Sequence, residues 1–475
     1  MKTYSREQFV KDVTAGIIVA IIALPLSIAL ALASGVGPEA GIFTAIVAGF
    51  VISALGGSSV QIAGPTAAFA TIVAGIVAKN GLDGLVIATI LAGIFLILMG
   101  LCHFGTLIRF IPYTITTGFT AGIAVTIVIG QLKDFFGVTY PDGVKPIETM
   151  EKLHAFVENC GTVNPSAVIV GVVSLAILII SPYIFKKIPG SLLAVIAGIL
   201  MVKFLPLKAS TIGDLYSISN ALPSFHLPAL NLAAVKDAIP NAFTIAVLAA
   251  IESLLSCVVA DGMINGKHRS DMELVAQGAG NIASALFGGI PATGAIARTA
   301  ANIKNGGRTP IAGMVHSITL VLVLVVLMPY AGMIPMPTIA AILFVVAYNM
   351  CQWRPFAHLI QTAPKSDILV LLVTFFLTVV FDLVVAIEIG MLLTCLLFMK
   401  RMSDETHVDS WTYVDDDSDA VNDHMQKLAK EIRVYEITGP LFFGAANAIE
   451  HIVVKDFTKC LVLRMRSVPA LDSTA

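Results

Sequence analysis

Two ionisable side chains occupy positions that an apolar chain tolerates poorly. Glu252 lies in Ala249-Ala250-Ile251-Glu252-Ser253-Leu254-Leu255-Ser256, at the centre of an apolar run, and Arg298 lies in Ala297-Arg298-Thr299, inside another. A charge within a membrane segment costs ~2.5 kcal/mol or more and normally faces a cavity or a partner. A carboxyl at that depth can carry a proton, hold a sodium ion with hydroxyls such as that of Ser256, or pair with Arg298. Each role would couple anion movement to a cation gradient. The plainer alternative for each is a tie between helices.

The segment holding Arg298 follows the break Gly288-Gly289-Ile290-Pro291, and an earlier segment follows a similar stretch from Gly56-Gly57 to Gly64-Pro65. A helix that starts inside the membrane exposes unpaired N–H groups, which carry about half a positive charge. Two such starts facing each other form an anion trap. The candidate anion-binding residues are Pro65, Thr66 and Ala67 at the first start, and Gly294, Ala295, Ala297, Arg298 and Thr299 at the second. Glu252 and Ser256 are the candidate cation-coupling pair. Gly, Ala and Thr are also ordinary helix-packing residues in membranes. Asp261, Lys267, Asp271 and Glu273 are expected at the membrane interface, and Glu388 in a structural role or protonated in place. His103 and His316 have no partner nearby in sequence, so no metal is expected at either. There is no GxSxG, HExxH or Walker A motif, so neither an enzyme nor a cofactor is expected.

The elements that must position these residues are membrane spans. Of 475 residues, 57% are apolar and 13% charged, about half the charged share of a soluble domain. The last 75 residues hold 21 of the 60 charged side chains, so a lipid-embedded body at 1–402 is followed by a polar tail. The net charge of -2 argues against a nucleic-acid partner. The six cysteines are scattered singly, without a CxxC pair. Fourteen apolar segments run from 13–33 to 383–400. Several are shorter than the ~20 residues of a straight span. Lys and Arg favour one set of loops about twofold, which places both termini in the cytoplasm. A weak internal repeat relates Pro25 and Gly64-Pro65-Thr66 to Glu252 and Pro291-Ala292-Thr293. Seven spans per half invert the second copy, so the two broken segments would meet near the midplane.

Several stretches resemble the sulfate permease (SulP) family: Leu24-Pro25-Leu26-Ser27-Ile28-Ala29, Ala63-Gly64-Pro65-Thr66-Ala67-Ala68, Ala250 to Leu255 with Ala260-Asp261-Gly262-Met263, Gly280-Asn281-Ile282 and Ala297-Arg298-Thr299. The resemblance implies an all-α polytopic protein. Its 14 transmembrane segments would form a 7+7 inverted repeat with core and gate domains, and the anion would sit between the third and tenth helices. Around Glu252 and Arg298 the chain looks closest to the DauA-like dicarboxylate carriers, then to the BicA-like bicarbonate carriers. The bicarbonate carriers have an aspartate matching Glu252 that helps bind sodium. Glutamate at this position, and Ile296 where a hydroxyl would help, favour a proton.

The resemblance implies a secondary active transporter of small anions, read as proton-coupled uptake of a C4-dicarboxylate. The alternatives are sodium-coupled bicarbonate transport, proton-coupled sulfate transport and, more remotely, a nucleobase–cation symporter. A homodimer in lipid, in a bacterial inner membrane, is implied too. The tail looks like an α/β STAS domain beginning at 431 after an acidic linker at 403–430, with Ser473 matching a regulatory phosphoserine and cytoplasmic regulators as partners. The chain stops at Ala475, so this domain is expected to be cut short.

Overall fold

The computed structural model describes residues 4–106, 112–141, 146–184, 189–205, 207–216, 218–219, 221–228, 232–381, 383–411, 432–442, 452 and 458–473. Arg109, Lys145, Lys186 and Lys187, four of the loop Lys and Arg residues counted for orientation, lie outside them, as does most of the expected acidic linker. The elements of the body run in order as α1 (Arg6–Ala33), α2 (Pro38–Leu55), β1 (Ala63–Gly64), α3 (Ala67–Leu101), α4 (Tyr113–Phe136), α5 (Thr149–Glu158), α6 (Pro165–Ile184), α7 (Gly190–Phe204) and α8 (Ile212–Leu215). There follow α9 (Leu232–Ile264), α10 (Ser270–Leu286), β2 (Thr293–Gly294), α11 (Ile296–Lys304), α12 (Pro310–Ala331), α13 (Met336–Cys351), α14 (Trp353–Thr362), α15 (Lys365–Val380) and α16 (Leu383–Asp404). Each of the fourteen apolar segments falls on one of these helices, and α3 contains two of them. Its halves meet at Gly81, whose φ of 70° and ψ of -174° break the helical path. Glycine suits this position because a side chain strains at positive φ. Among the described residues, eight helices are long and apolar enough to cross a membrane.

The chain divides into two compact units. One holds Met1–Pro364 with Leu371–Ile387, the other Lys365–Val370 with Glu388–Ala475. In the first unit, α3 packs on α9 and α10, α2 on α10 and α12, and α1 on α12. A second set joins α4 to α13, α13 to α6 and α6 to α7. Lipid supplies no hydrophobic drive between helices, so close backbone approach at small residues holds them together. A Cβ on Gly93 of α3 would lie 2.6 Å from the Gly278 carbonyl oxygen of α10, and a Cβ on Gly278 would strike the Gly93 carbonyl in return. Gly41 of α2 lies against the Ser27 carbonyl of α1 in the same way.

The second unit contains the sheet β3 (His407–Trp411), β4 (Ile432–Thr438) and β5 (Cys460–Ser467), in which β4 pairs antiparallel with β3 and parallel with β5. The two strands expected in the tail are present. A third, β3, forms where the linker was expected to begin. Its two apolar residues, Val408 and Trp411, are three apart and so do not alternate, and a neighbouring acidic run obscures the segment further. Ser473 is exposed, six residues beyond β5.

Candidate anion and cation site

The two chain breaks cross. β1 and β2, one from each half, pair antiparallel, with Ala63 opposite Gly294 and Gly64 opposite Thr293. Each strand ends where a helix starts, α3 after Thr66 and α11 after Ala295, and neither N-cap residue caps its helix with a side chain. The first N–H groups of both helices are therefore unspent. At α3 these are the amides of Ala67 and Ala68; at α11, those of Ile296, Ala297 and Arg298. The amides of Gly294 and Ala295, expected to face an anion, are engaged in holding the crossing: Gly294 N–H donates to Ser253 Oγ (3.1 Å) and Ala295 N–H to the Ile62 carbonyl (2.9 Å).

Arg298 lies in the first turn of α11, 2% exposed. Its Nη2 donates to the Pro65 carbonyl at 2.9 Å, while Nε and Nη1 are buried without a hydrogen-bond partner. Gly64 accommodates the guanidinium, since a Cβ there would collide with Nη1. No carboxylate forms an ion pair with Arg298 among the described residues. A buried charge left uncompensated costs roughly 3–5 kcal/mol, so this site is electrostatically suited to an anion.

Glu252 is half-buried in α9. Its Oε2 accepts a hydrogen bond from Thr66 Oγ1 at 2.9 Å and not from Arg298. This bond ties the Glu252 carboxyl to the residue that precedes α3.

 Ser256, one turn further along α9, is buried and lies 3.5 Å from Thr299 Oγ1, which itself accepts from the Ile62 N–H at 3.0 Å. The structure thus brings Pro65, Thr66, Ala67, Glu252, Ala297 and Arg298 to the two helix starts. Thr299 and Ser256 lie just behind them as supports of the β1 crossing.

That crossing rests on polar residues that the sequence reading did not single out for it. Ser253 Oγ lies 2.7 Å from Thr293 Oγ1. Asn281 clamps Ala292, donating to its carbonyl and accepting from its N–H, both at 2.9 Å. Asn302 donates to the Val60 carbonyl at 2.9 Å. Glu273, expected at the interface, is fully buried. Its carboxylate accepts from Gly57 N–H (2.9 Å), Ser58 N–H (3.1 Å), Gln61 Nε2 (2.8 Å) and Gln277 Nε2 (2.9 Å). Four donors can hold a carboxylate that burial alone would penalise. His103, without a partner in sequence, meets Asp271 at 2.9 Å, whereas both ring nitrogens of the buried His316 lack a partner. No group of three or more metal-ligating side chains occurs among the described residues.

A family model described as "Sulfate permease family" matches residues 9–374. YvdB of Bacillus subtilis (strain 168), named as a candidate sulfate transporter, is 41% identical over 100% of this chain and 88% of its own. The bicarbonate transporter BicA of Picosynechococcus is 31% identical over 98% of this chain and 84% of its own. Among solved structures, the transmembrane domain of a cyanobacterial BicA superposes with a TM-score of 0.73 at 29% identity, covering 81% of this chain and 98% of that one. Murine Slc26a9 in an inward-facing state matches with a TM-score of 0.87 at 17% identity, covering 99% of this chain and 82% of that one, a likeness of fold.

Proposed function

Since the chain belongs to the sulfate permease family of anion transporters, we propose that it takes up a small anion by secondary active transport, coupled to a proton, with a C4-dicarboxylate as cargo. The observation that carries this reading is the buried Arg298, with two unpartnered nitrogens beside two uncapped helix starts. The anion accepts from the free amides at Ala67 and Ala297 and supplies the negative charge that Arg298 lacks. Glu252 carries the proton. Its bond to Thr66 places the carboxyl at the α3 start, so loading of the proton and loading of the anion are felt by the same turn of helix. Transport is a shift of α3, α9, α10 and α11 together past the helices around α4 and α13.

A second reading is sodium-coupled bicarbonate transport, favoured by the relative named a bicarbonate transporter. Sulfate with a proton is a third, in keeping with the name of YvdB. The tail is read as part of a STAS domain that cytoplasmic regulators engage near Ser473. The transporter is read as a homodimer in a bacterial inner membrane with both termini inside. Uptake of labelled succinate into proteoliposomes, driven first by a proton and then by a sodium gradient, tests the assignment. Proton-driven uptake competed by dicarboxylates alone is expected. Sodium-driven bicarbonate uptake without succinate uptake would overturn it.

A further inference from the structure

Beyond the central site, the first unit contains a cavity of about 300 Å³. Its walls come from α3, α4, α5, α9 and the α15–α16 turn. Thr71, Gly75 and Lys79 line it at four-residue spacing, so one face of α3 forms a wall. The open space is confirmed separately, because a Cβ on Gly75 would meet nothing within 4 Å. This face begins one helical turn, about 6 Å, past Ala67, whose amide is free at the start of α3. One face of α3 therefore runs from the cavity toward the central site.

The lining chemistry suits an anion. Lys79 and Lys152 both line the cavity, and neither ammonium has an ion-pair or hydrogen-bond partner among the described residues. Thr126, Thr378 and Asn241 add neutral hydrogen-bonding groups. Glu148 is the one carboxylate in the lining and is the N-cap of α5, where the helix dipole favours its charge. Burial pushes the Lys152 ammonium down, opposed by the Glu151 carboxylate, and an arriving anion would offset that cost.

We propose that this cavity is an anion antechamber, in which Lys79 and Lys152 concentrate a small carboxylate or oxyanion before it passes along the Thr71–Gly75 face of α3 to the central site. This deepens the transport reading and rests on it, but the electrostatics of the cavity can be measured without transport. Gly75→Cys is treated with an anionic methanethiosulfonate (the ethylsulfonate) and with a cationic one (the ethyltrimethylammonium), each rate being corrected for the unsubstituted chain. The anionic reagent is expected to react roughly tenfold faster, a preference that falls with salt. Lys79→Gln with Lys152→Gln should abolish it, and Lys→Arg at both positions should restore it. No modification at position 75, or an equal or faster cationic reaction, would overturn the proposal.

In proteoliposomes the double Gln variant is expected to raise KM about fivefold with kcat unchanged, since only capture weakens. A fall in kcat at constant KM would mean that the lysines serve the moving parts instead, and would also overturn the proposal. An Arg298→Gln chain that no longer transports but keeps the anionic preference at position 75 would support the antechamber, while transport unaffected by Arg298→Gln would count against the central-site reading alone.

Discussion

The two crossing strands are related by the repeat, yet they have divided their work. At the first, Gly64 lies under the Arg298 guanidinium, and the following Thr66 donates to Glu252. At the second, Gly294 lies under the Gln61 amide, and its own N–H and that of Ala295 are spent on Ser253 and Ile62. Both glycines are required by close approach, but of a charge in one case and of a neutral amide in the other. On the proposed reading the first crossing presents groups to ions, whereas the second mostly fastens the backbone and contributes its arginine across to the first. A duplicated frame needs only one charged copy, because a second arginine facing the first would add a buried like charge.

The strongest break of this asymmetry is Arg298→Gln, which keeps a donor for Pro65 and removes the charge. Uptake should fall roughly a hundredfold or more, as the anion loses about 3 kcal/mol of compensation; uptake within a few-fold of the parent would refute the assignment. Gly64→Val comes next. Its side chain displaces the guanidinium, so uptake should fall by roughly tenfold or more, with overpacking of about 1–3 kcal/mol lowering the melting temperature in detergent. If Gly294→Val instead abolished uptake while Gly64→Val spared it, the two crossings would have been assigned the wrong way round.

Glu252→Gln sharpens the comparison along the cation axis. Gln keeps an acceptor for Thr66 but cannot exchange a proton. Anion binding should persist, and the rise of uptake as external pH falls should vanish. A pH profile identical to the parent's would remove Glu252 from coupling. Thr66→Val is smaller, deleting one hydrogen bond worth about 0.5–1.5 kcal/mol, and is expected to shift the apparent proton affinity by up to tenfold with kcat largely retained. Ser253→Ala should have the least effect on transport. It leaves the Gly294 amide without its partner, while the Thr293 hydroxyl keeps the Ala249 carbonyl, at about 1 kcal/mol of stability, which thermal unfolding in detergent would detect.

What the sequence disclosed follows the same division. Charges in apolar runs and Gly/Pro breaks are legible locally, since a lone Arg298 or Glu252 stands out against its own neighbours. The supports are not legible, because their partners lie far along the chain: Gln61 reaches Glu273, and Asn302 reaches Val60. Glu273 sits three residues into α10, close to Arg269 and Asp271, and its surroundings in sequence are those of an interfacial charge. Only the fold shows that the loop after α2 turns two amides onto it. The engagement of the Ala295 amide was hidden for the same reason, since pairing of β1 with β2 joins residues more than two hundred positions apart.

The glycine contact between α3 and α10 has a further consequence. At Gly93 and Gly278 each backbone rests on the carbonyl of the other, with Ile97 and Ile282 closing the contact on either side. Slippage between them would bring a residue with a side chain onto the facing carbonyl, where there is no room for a Cβ. In hydrogen–deuterium exchange, the amides flanking Gly93 and Gly278 should therefore open together, as one cooperative block with a single opening free energy. That block should keep the same protection in every stage of the cycle, while the amides of the exposed α5 and α14 exchange early.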